Sequence, residues 1–311
     1  MQLVSYIFFR MMVYLFSITP FWLVYRLSDG LRFLFLKVIK YRYKVVKENL
    51  EHSFPQKSET EINSLIEKSY RNLCDILLEG IKGMSMSDNE ILKRYKFVNQ
   101  EVANKYYDKG QNVIGMASHY GNWEWAVQAI SLQLKCITVG VVARIKNKYL
   151  DSYVQKYRTH ENVMVLYPDQ ANKVISNWDK RPALFVYIAD QSPSKSSAEK
   201  ADWVNFLNQK TACLWGGDRM ARRMDFPVVN MAINRVKRGY YEVRLETITD
   251  TPRNVVEGDI TTAYMNKLEI IVKESGLDEI KLSVLLEKFS DYYKIASEWS
   301  EKAKMLVITD E

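Results

Sequence analysis

The chain has 311 residues, 47% of them hydrophobic and 13% aromatic, which is enough to bury the core of one large α/β domain and argues against a disordered chain. Its net charge of +7 predicts an anionic partner, and on charge alone nucleic acid, anionic lipid and an acidic protein all remain open. The cysteines Cys74, Cys136 and Cys213 are odd in number and far apart, so we expect reduced thiols near the core rather than disulfides or a metal site.

The first distinctive segment is apolar and runs from Leu3 to Tyr25, with one charge, Arg10, and one proline, Pro20. It is long enough to cross a bilayer, because about 20 apolar residues span the hydrocarbon core. A signal peptide is disfavoured, since Arg10 interrupts the apolar stretch and no cleavage pattern follows. We therefore expect a membrane anchor in residues 1–28, either spanning the bilayer or lying in its surface. A buried hydrophobic helix is the alternative.

The segment that follows, residues 31–50, carries six basic residues against one acid. Basic residues interleaved with Phe, Leu, Val and Tyr next to an apolar segment suit the anionic cytoplasmic face of a membrane. A solvated basic helix face is the alternative. Nucleic acid is disfavoured, because the sequence contains no helix-turn-helix, zinc-finger or RNP pattern.

The middle of the chain alternates short apolar runs with helical stretches, which predicts a mainly parallel central sheet flanked by helices. The predicted strands are residues 112–117, 136–143, 163–167, 183–189, 226–233 and 240–248. The last two are expected to form a hairpin with Gly239 in its turn. Residues 29–311 are therefore predicted to form a single α/β domain.

Apolar residues three and four positions apart predict the helices. Before the sheet, residues 58–105 are predicted to be helical, with Ser58 or Thr60 as the first cap. Between the strands, helices are predicted at residues 123–134, 148–160 and 171–179. From residue 261 onwards the pattern again predicts helices, broken near Gly276.

Polar residues follow three of the predicted strands. His119 follows the first strand, Arg144 the second, and Asp190 and Gln191 the fourth. In open α/β sheets, ligands bind beyond the carboxyl ends of the strands. We therefore expect these side chains to converge on one site.

The stretch SHYGNWEW, residues 118–125, joins the first of these strands to a predicted helix. In one continuous helix, His119 and Glu124 would not share a face. A strand ending at His119 and a helix beginning near Asn122 change this, because Gly121 permits a sharp turn and Asn122 is a favourable N-cap. Glu124 can then reach the imidazole, fix its tautomer and leave His119 as a general base for a hydroxyl. A structural histidine beside a helix-capping acid is the alternative.

Other catalytic motifs are absent from the sequence. It contains no Gly-x-Ser-x-Gly elbow, no Walker loop and no Gly-x-Gly-x-x-Gly fingerprint. The two other histidines, His52 and His160, fall in unrelated segments, so a histidine-based metal site lacks ligands.

The residues around His119 resemble a known family. HYGNWE, residues 119–124, is similar to the His-x4-Glu motif of glycerolipid and lipid A acyltransferases, and within that group to the lipid A biosynthesis (lauroyl/myristoyl) acyltransferases of Gram-negative inner membranes. Further blocks resemble that family in the same order, at residues 25–55, 143–158, 188–194 and 206–229.

The resemblance implies a glycerolipid acyltransferase-like α/β fold with an N-terminal membrane-anchoring helix and a helical C-terminus, at the cytoplasmic face of the inner membrane. It implies transfer of a fatty acyl chain from acyl carrier protein to a hydroxyl of a lipid A precursor. No metal or organic cofactor is expected, because the thioester supplies the activated acyl group. A lysophospholipid or aminoacyl-lipid acceptor, or a lipid-binding protein without catalysis, is the alternative.

In that mechanism His119 removes the proton from the acceptor hydroxyl, and Glu124 orients the imidazole and stabilises the imidazolium. Arg144 is expected to stabilise the oxyanion or an acceptor phosphate. A structural ion pair between Arg144 and Asp190 is the alternative.

The remaining site residues are expected to support this dyad. Asp190 and Gln191 hold the site together, while Asn122 and Trp123 shape the turn and pack against it. The chain departs from the family at Ala143, where a tyrosine is usual, and in its C-terminal tail, which has no His-Arg-Trp-Lys-like string. No acceptor contact near the C-terminus is therefore carried over.

Overall fold

The computed structural model describes residues 2–193 and 201–274. Its strands are β1 (Tyr95–Phe97), β2 (Val113–Ala117), β3 (Ile137–Val141), β4 (Val163–Leu166), β5 (Ala183–Ile188), β6 (Asp202–Phe206), β7 (Gln209–Cys213), β8 (Val228–Lys237) and β9 (Tyr240–Thr249). Its helices are α1 (Gln2–Ile18), α2 (Phe21–Phe33), α3 (Tyr43–Ser53), α4 (Glu59–Gly83), α5 (Asp88–Arg94), α6 (Glu101–Asp108), α7 (Trp123–Gln133), α8 (Lys148–Arg158), α9 (Pro168–Ser176), α10 (Gly216–Met224) and α11 (Asp259–Glu274). A π-helical turn, Leu34–Val38, follows α2.

The central sheet has seven strands in the order β1-β9-β8-β2-β5-β3-β4. Every neighbouring pair is parallel except the β8–β9 hairpin. The hairpin turns at Gly239, whose φ of 75° is accessible to glycine without steric cost. The mainly parallel α/β sheet, its six predicted strands and the hairpin are confirmed.

Three strands were not predicted. β1 has only three residues, too few for a periodic pattern, and it extends the sheet beside β9. β6 and β7 form a separate antiparallel pair whose sequences, DWVNF and QKTAC, are partly polar. Short or polar strands of this kind are fixed by their pairing partners rather than by their own hydrophobicity.

The sheet buries a hydrophobic cluster on each face, since successive side chains of a strand point to opposite sides. On one face Val113 and Ala117 of β2 join Trp125, Ala129 and Ile130 of α7. On the other face Ile114 and Met116 of β2 meet residues from α4, α9, α10 and α11. The cysteines Cys74, Cys136 and Cys213 are buried free thiols, as predicted.

Most helical predictions hold, but residues 58–105 are not helical throughout: α4, α5 and α6 are separated by short breaks and by strand β1. Ser58 caps α4, and Glu61 completes a capping box by accepting a hydrogen bond from the Ser58 backbone N–H. α7, α8 and α9 lie at the predicted positions, and α11 supplies the first helix of the C-terminal region. Residues from 275 onwards, with the predicted break near Gly276 and the atypical tail, lie outside the described residues.

The N-terminal apolar segment forms two helices rather than one continuous helix. α1 ends at Ile18, and α2 begins after Pro20, which cannot supply a backbone N–H to a continuing helix. Within residues 2–193 and 201–274, none of the helices combines the length and apolar character needed to cross a bilayer. The expected anchor, for which spanning and surface-lying forms were both open, is thus divided between two helices.

The predicted anchor boundary at residue 28 falls inside α2, which packs into the domain. Val24 is fully buried, and the hydroxyl of buried Ser28 donates a hydrogen bond to Asp75 of α4. The outer side of the N-terminal helices is nevertheless apolar and exposed. Large exposed apolar residues in this region are Leu3, Val4, Ile7, Phe8, Met11, Tyr14, Leu15, Ile18, Trp22, Leu27, Phe33, Leu34, Val38 and Ile39.

Candidate active site

The stretch 118–125 forms the predicted strand–turn–helix corner. β2 ends at Ala117, His119 lies two residues beyond it, and α7 begins at Trp123. Gly121 has a φ of 68°, and a Cβ at this position would lie 2.5 Å from Ile233 Cγ2. Only glycine fits this backbone and this close approach, so the turn depends on it.

The carboxylate that binds the His119 imidazole is that of Asp190. The two residues follow the adjacent parallel strands β2 and β5, and His119 Nδ1 lies 2.8 Å from Asp190 Oδ1. The backbone N–H of His119 also donates to Asp190 Oδ2 at 2.7 Å. The Asp190 side chain is fully buried, whereas that of His119 is 17% exposed. An ionised Asp190 favours the tautomer with the proton on Nδ1, which leaves Nε2 as a proton acceptor.

Glu124 does not occupy the place expected for it. Its carboxylate forms a two-point ion pair with the guanidinium of Arg158, the last residue of α8. Both partners are about four-fifths buried and line the same cavity as His119. The expected hydrogen bond between the imidazole and the Glu124 carboxylate is therefore corrected: Asp190 takes that position, and Glu124 joins α7 to α8.

Arg144 also has a partner that the sequence did not indicate. Its guanidinium lies 3.6 Å from the centroid of the Tyr167 ring and donates to Asp169 Oδ2 at 3.0 Å. The alternative of an ion pair with Asp190 is thus wrong. The Arg144 side chain is 53% exposed and lines the mouth of the cavity.

The other site residues lie where the turn places them. Gln191 Nε2 is 3.4 Å from His119 Nε2, a long hydrogen bond at the ring nitrogen that does not contact Asp190. The Trp123 ring packs edge-on against the imidazole, with centroids 4.8 Å apart. Asn122 is fully buried and caps α7, accepting a hydrogen bond from the Trp125 backbone N–H at 3.1 Å. The predicted N-cap and the packing of Trp123 are present, and burial keeps Asn122 away from any ligand in the cavity.

A cavity of about 670 Å³ opens beside His119 and runs between α7 and the sheet. Its α7 wall is formed by Trp123, Ala126, Val127 and Ile130. Its floor is the sheet face formed by Ala117, Thr138, Gly140, Val163, Val165, Val186, Ile188, Met231, Ile233 and Val243. The lining is predominantly apolar, with the polar groups His119, Glu124, Arg144, Arg158 and Gln191 among its residues. An elongated apolar ligand with one polar end fits this distribution.

Helix α1 lies beside the mouth of this cavity. The Asn147 side chain, two residues after cavity-lining Ile145, donates to the backbone carbonyl of Gln2 at 2.8 Å. Tyr6 packs against Tyr149 of α8, with ring centroids 6.0 Å apart. The start of α1 therefore contacts the loop and helix that follow β3, next to the cavity.

Comparison with known proteins shows which protein family the chain belongs to. The family model of bacterial lipid A biosynthesis acyltransferases matches residues 2–276, which is most of the chain. The chain belongs to this family. It is also similar to the lipid A biosynthesis lauroyltransferase of Escherichia coli (strain K12), with 23% identity over 252 residues and 80% of each chain covered.

These matches confirm the family resemblance that the sequence blocks indicated. Two further residues that support the site carry no local sequence signal. Arg158 ends the block at 143–158, but its pairing with Glu124 spans 34 positions. Glu79 of α4 is fully buried against Asn122, and its place in an ordinary amphipathic helix gave no signal of that contact.

Proposed function

We propose that this protein transfers a fatty acyl chain from the thioester of acyl carrier protein to a hydroxyl of a lipid A precursor. Family membership supports a lipid A acyltransferase. The observation that carries the proposed mechanism is the position of His119 at an apolar cavity, with Nδ1 bonded to buried Asp190. A general base beside a groove for a hydrocarbon chain is what acyl transfer to a hydroxyl requires.

His119 Nε2 takes the proton of the acceptor hydroxyl as its oxygen attacks the thioester carbonyl. A tetrahedral oxyanion forms, and its collapse breaks the carbon–sulfur bond. The imidazolium returns the proton to the departing thiolate, so the products are the ester and the free thiol. Asp190 stabilises the imidazolium between these steps, because its buried carboxylate lies next to the Nδ1 proton.

The acyl chain lies in the cavity between α7 and the sheet, with its carbonyl at the polar end near His119. Apolar walls stabilise a hydrocarbon chain by removing it from water, at roughly 25 cal/mol for each Å² buried. The Glu124–Arg158 ion pair fixes the spacing of α7 and α8 at the side of this cavity.

Positive charge at the mouth recruits the anionic substrates. Arg144, Lys146 and Lys148 are exposed there, and Arg144 is held in place by Tyr167 and Asp169. An acceptor phosphate or the acidic surface of acyl carrier protein finds complementary charge at this edge. Exposure of Arg144 to solvent favours a headgroup phosphate over the thioester oxyanion as its ligand.

The exposed apolar side of α1 and α2 rests in the membrane surface, on the cytoplasmic face of the inner membrane. α1 contacts the loop at the cavity mouth, so a lipid acceptor reaches His119 without leaving the interface. Interfacial helices bind by burying an apolar face, with basic neighbours attracted to anionic headgroups.

The test is acyl transfer by the purified full chain, with acyl carrier protein thioesters as donors and a lipid A precursor in detergent as acceptor. Mass spectrometry of the lipid product is expected to show one added acyl chain. His119→Ala should lower kcat by roughly 100- to 10,000-fold, the range of general acid–base catalysis. Its melting temperature should remain near that of the wild type.

The acceptor panel distinguishes the alternatives. Turnover with a lysophospholipid or an aminoacyl lipid but not with the lipid A precursor would replace the proposed acceptor. Lipid binding without turnover would indicate a binding protein on the same fold. Wild-type turnover by His119→Ala would remove His119 as the base.

A further inference from the structure

The turn that presents His119 is held at both of its ends by buried carboxylates. At the upstream end, Asp190 accepts hydrogen bonds from the backbone N–H and Nδ1 of His119. At the downstream end, Asn122 Nδ2 donates to Glu79 Oε2 at 2.9 Å. The mechanism above uses Asp190 and gives no role to Glu79.

Glu79 lies in α4 and is completely buried. In addition to the Asn122 amide, two tyrosine hydroxyl groups donate to the Glu79 carboxylate. Tyr25 of α2 donates to Oε1 at 3.0 Å, and Tyr241 of β9 donates to Oε2 at 2.6 Å. Burial raises the pKa of Glu79. A fully buried carboxyl is costly to accommodate, so packing alone does not explain this residue.

The backbone of Glu79 holds the same helix start. Its carbonyl accepts a hydrogen bond from Trp125 Nε1 at 2.9 Å. One turn further along α4, Gly83 lets the Trp125 ring approach so closely that a Cβ would lie 2.5 Å from Nε1. α4 thus fixes both the cap of α7 and the first large side chain after it.

We propose that Glu79 is a positioning residue for acyl transfer, which holds His119 in its catalytic position through Asn122 and the first turn of α7. Two residues separate His119 from Asn122, and one of them is Gly121 with its positive φ, so a shift of the cap moves the imidazole. A carboxylate accepts all three hydrogen bonds, which neither an amide nor an alkyl side chain does. This inference rests on the proposed function for its kinetic consequence.

An exchange of donor and acceptor tests the contact. Glu79→Gln keeps the shape but presents one acceptor oxygen to three donors. Asn122→Asp keeps a good N-cap but places two carboxyl groups against each other. In the double variant, the amide introduced in α4 donates to the carboxylate introduced at the cap, which restores the bond in the opposite direction. We expect each single variant to lose about 10- to 100-fold in kcat, as for a small misplacement of a catalytic group.

The double variant should regain at least tenfold in kcat relative to the single variants. The KM for the acyl donor should stay close to the wild-type value in every variant. Tyr25→Phe is the control, because it removes a donor from the other oxygen of Glu79 and leaves Asn122 paired. It is expected to lower the melting temperature while kcat stays near the wild-type value.

A second readout does not depend on turnover. The chain has three histidines, so the imidazole resonances of His119, His52 and His160 can be followed separately by NMR. Glu79→Gln should move the chemical shifts of the His119 imidazole, and the double variant should return them towards the wild-type values. This separates failure of the inference from failure of the proposed function.

The inference is overturned if Glu79→Gln lowers only the melting temperature, with kcat and the His119 resonances unchanged. It is also overturned if the double variant is no better than the weaker single variant. If Glu79→Gln alone does not fold, the double variant decides the question. A folded and active double variant supports the contact, and a double variant that neither folds nor turns over contradicts it.

Discussion

At the scale of the residue, the local motif predicted His119 as the base and Glu124 as its partner. Glu124 is five positions from His119 and within reach of it across a turn, so the spacing favoured that pair. In the structure Asp190, which is 71 positions away, bonds to Nδ1, and Glu124 pairs with Arg158. The parallel pairing of β2 with β5 brings Asp190 beside His119, and a sequence pattern does not encode that register.

Asp190→Asn and Glu124→Gln distinguish the two carboxylates. Asparagine at 190 presents an amide to Nδ1 and favours the tautomer with the proton on Nε2, so kcat should fall by roughly 100-fold or more. Glu124→Gln leaves the Nδ1 bond intact and weakens a wall of the cavity, so its kcat should fall less. The comparison needs single-turnover rates at saturating donor. A larger loss for Glu124→Gln would restore Glu124 as the partner of the base.

At the scale of the element, β3 was predicted as a strand but its contribution to the cavity was not. Gly140 lies on the cavity floor, where it pairs in register with Val165 of β4 on one side and with Val186 of β5 on the other. A glycine in a strand interior weakens the strand, yet here it leaves space where a side chain would enter the cavity. The strand pattern predicted β3, but which of its faces borders α7 is a tertiary property.

Substitution at Gly140 should therefore change the preferred donor. Gly140→Leu places a side chain in the cavity and should shift the product towards shorter acyl chains in a competition between donors of different length. Gly140→Ala is the matched control, because its Cβ would meet Val165 Cγ1 at 3.6 Å, an ordinary contact, and the shift should be small. Product chain lengths measured by mass spectrometry give the result. An unchanged distribution in Gly140→Leu would place the acyl chain elsewhere.

At the scale of the whole molecule, a network of ion pairs around buried Asp75 joins α2 and α4 to the sheet. Asp75 of α4 accepts hydrogen bonds from Arg235 and Arg238 of the β8–β9 hairpin, and Arg238 also bonds Asp29 of α2. Asp75 is fully buried, and the Arg235 side chain is 6% exposed. Removing one partner of such a pair leaves an unpaired buried charge, so these contacts hold α2 and α4 in one orientation on the sheet.

The exposed apolar side of α1 is the surface proposed to meet the membrane. Val4 and Val256 are matched valines, 70% and 69% exposed, and Val256 lies outside the N-terminal helices. Val4→Asp should weaken binding to anionic phospholipid vesicles several-fold, because it places a charge in the apolar face. Val256→Asp should bind as the wild type does. Co-sedimentation with vesicles gives both values, and equal effects of the two substitutions would contradict the proposal.

Local chemistry is what the sequence by itself determined. The six predicted strands, the Ser58 cap, the Gly239 turn and the corner at Gly121 and Asn122 depend on side-chain periodicity and backbone preference within a few residues. The motif HYGNWE and its flanking blocks determined the family.

Long-range partners were decided only by the tertiary structure. Asp190 beside His119, Glu79 beneath Asn122 and Arg158 against Glu124 join residues 34 to 71 positions apart. The packing of α2 against α4 likewise made part of an apolar segment a helix of the domain. Each of these contacts depends on how strands and helices pack against one another, and packing is a property of the assembled chain.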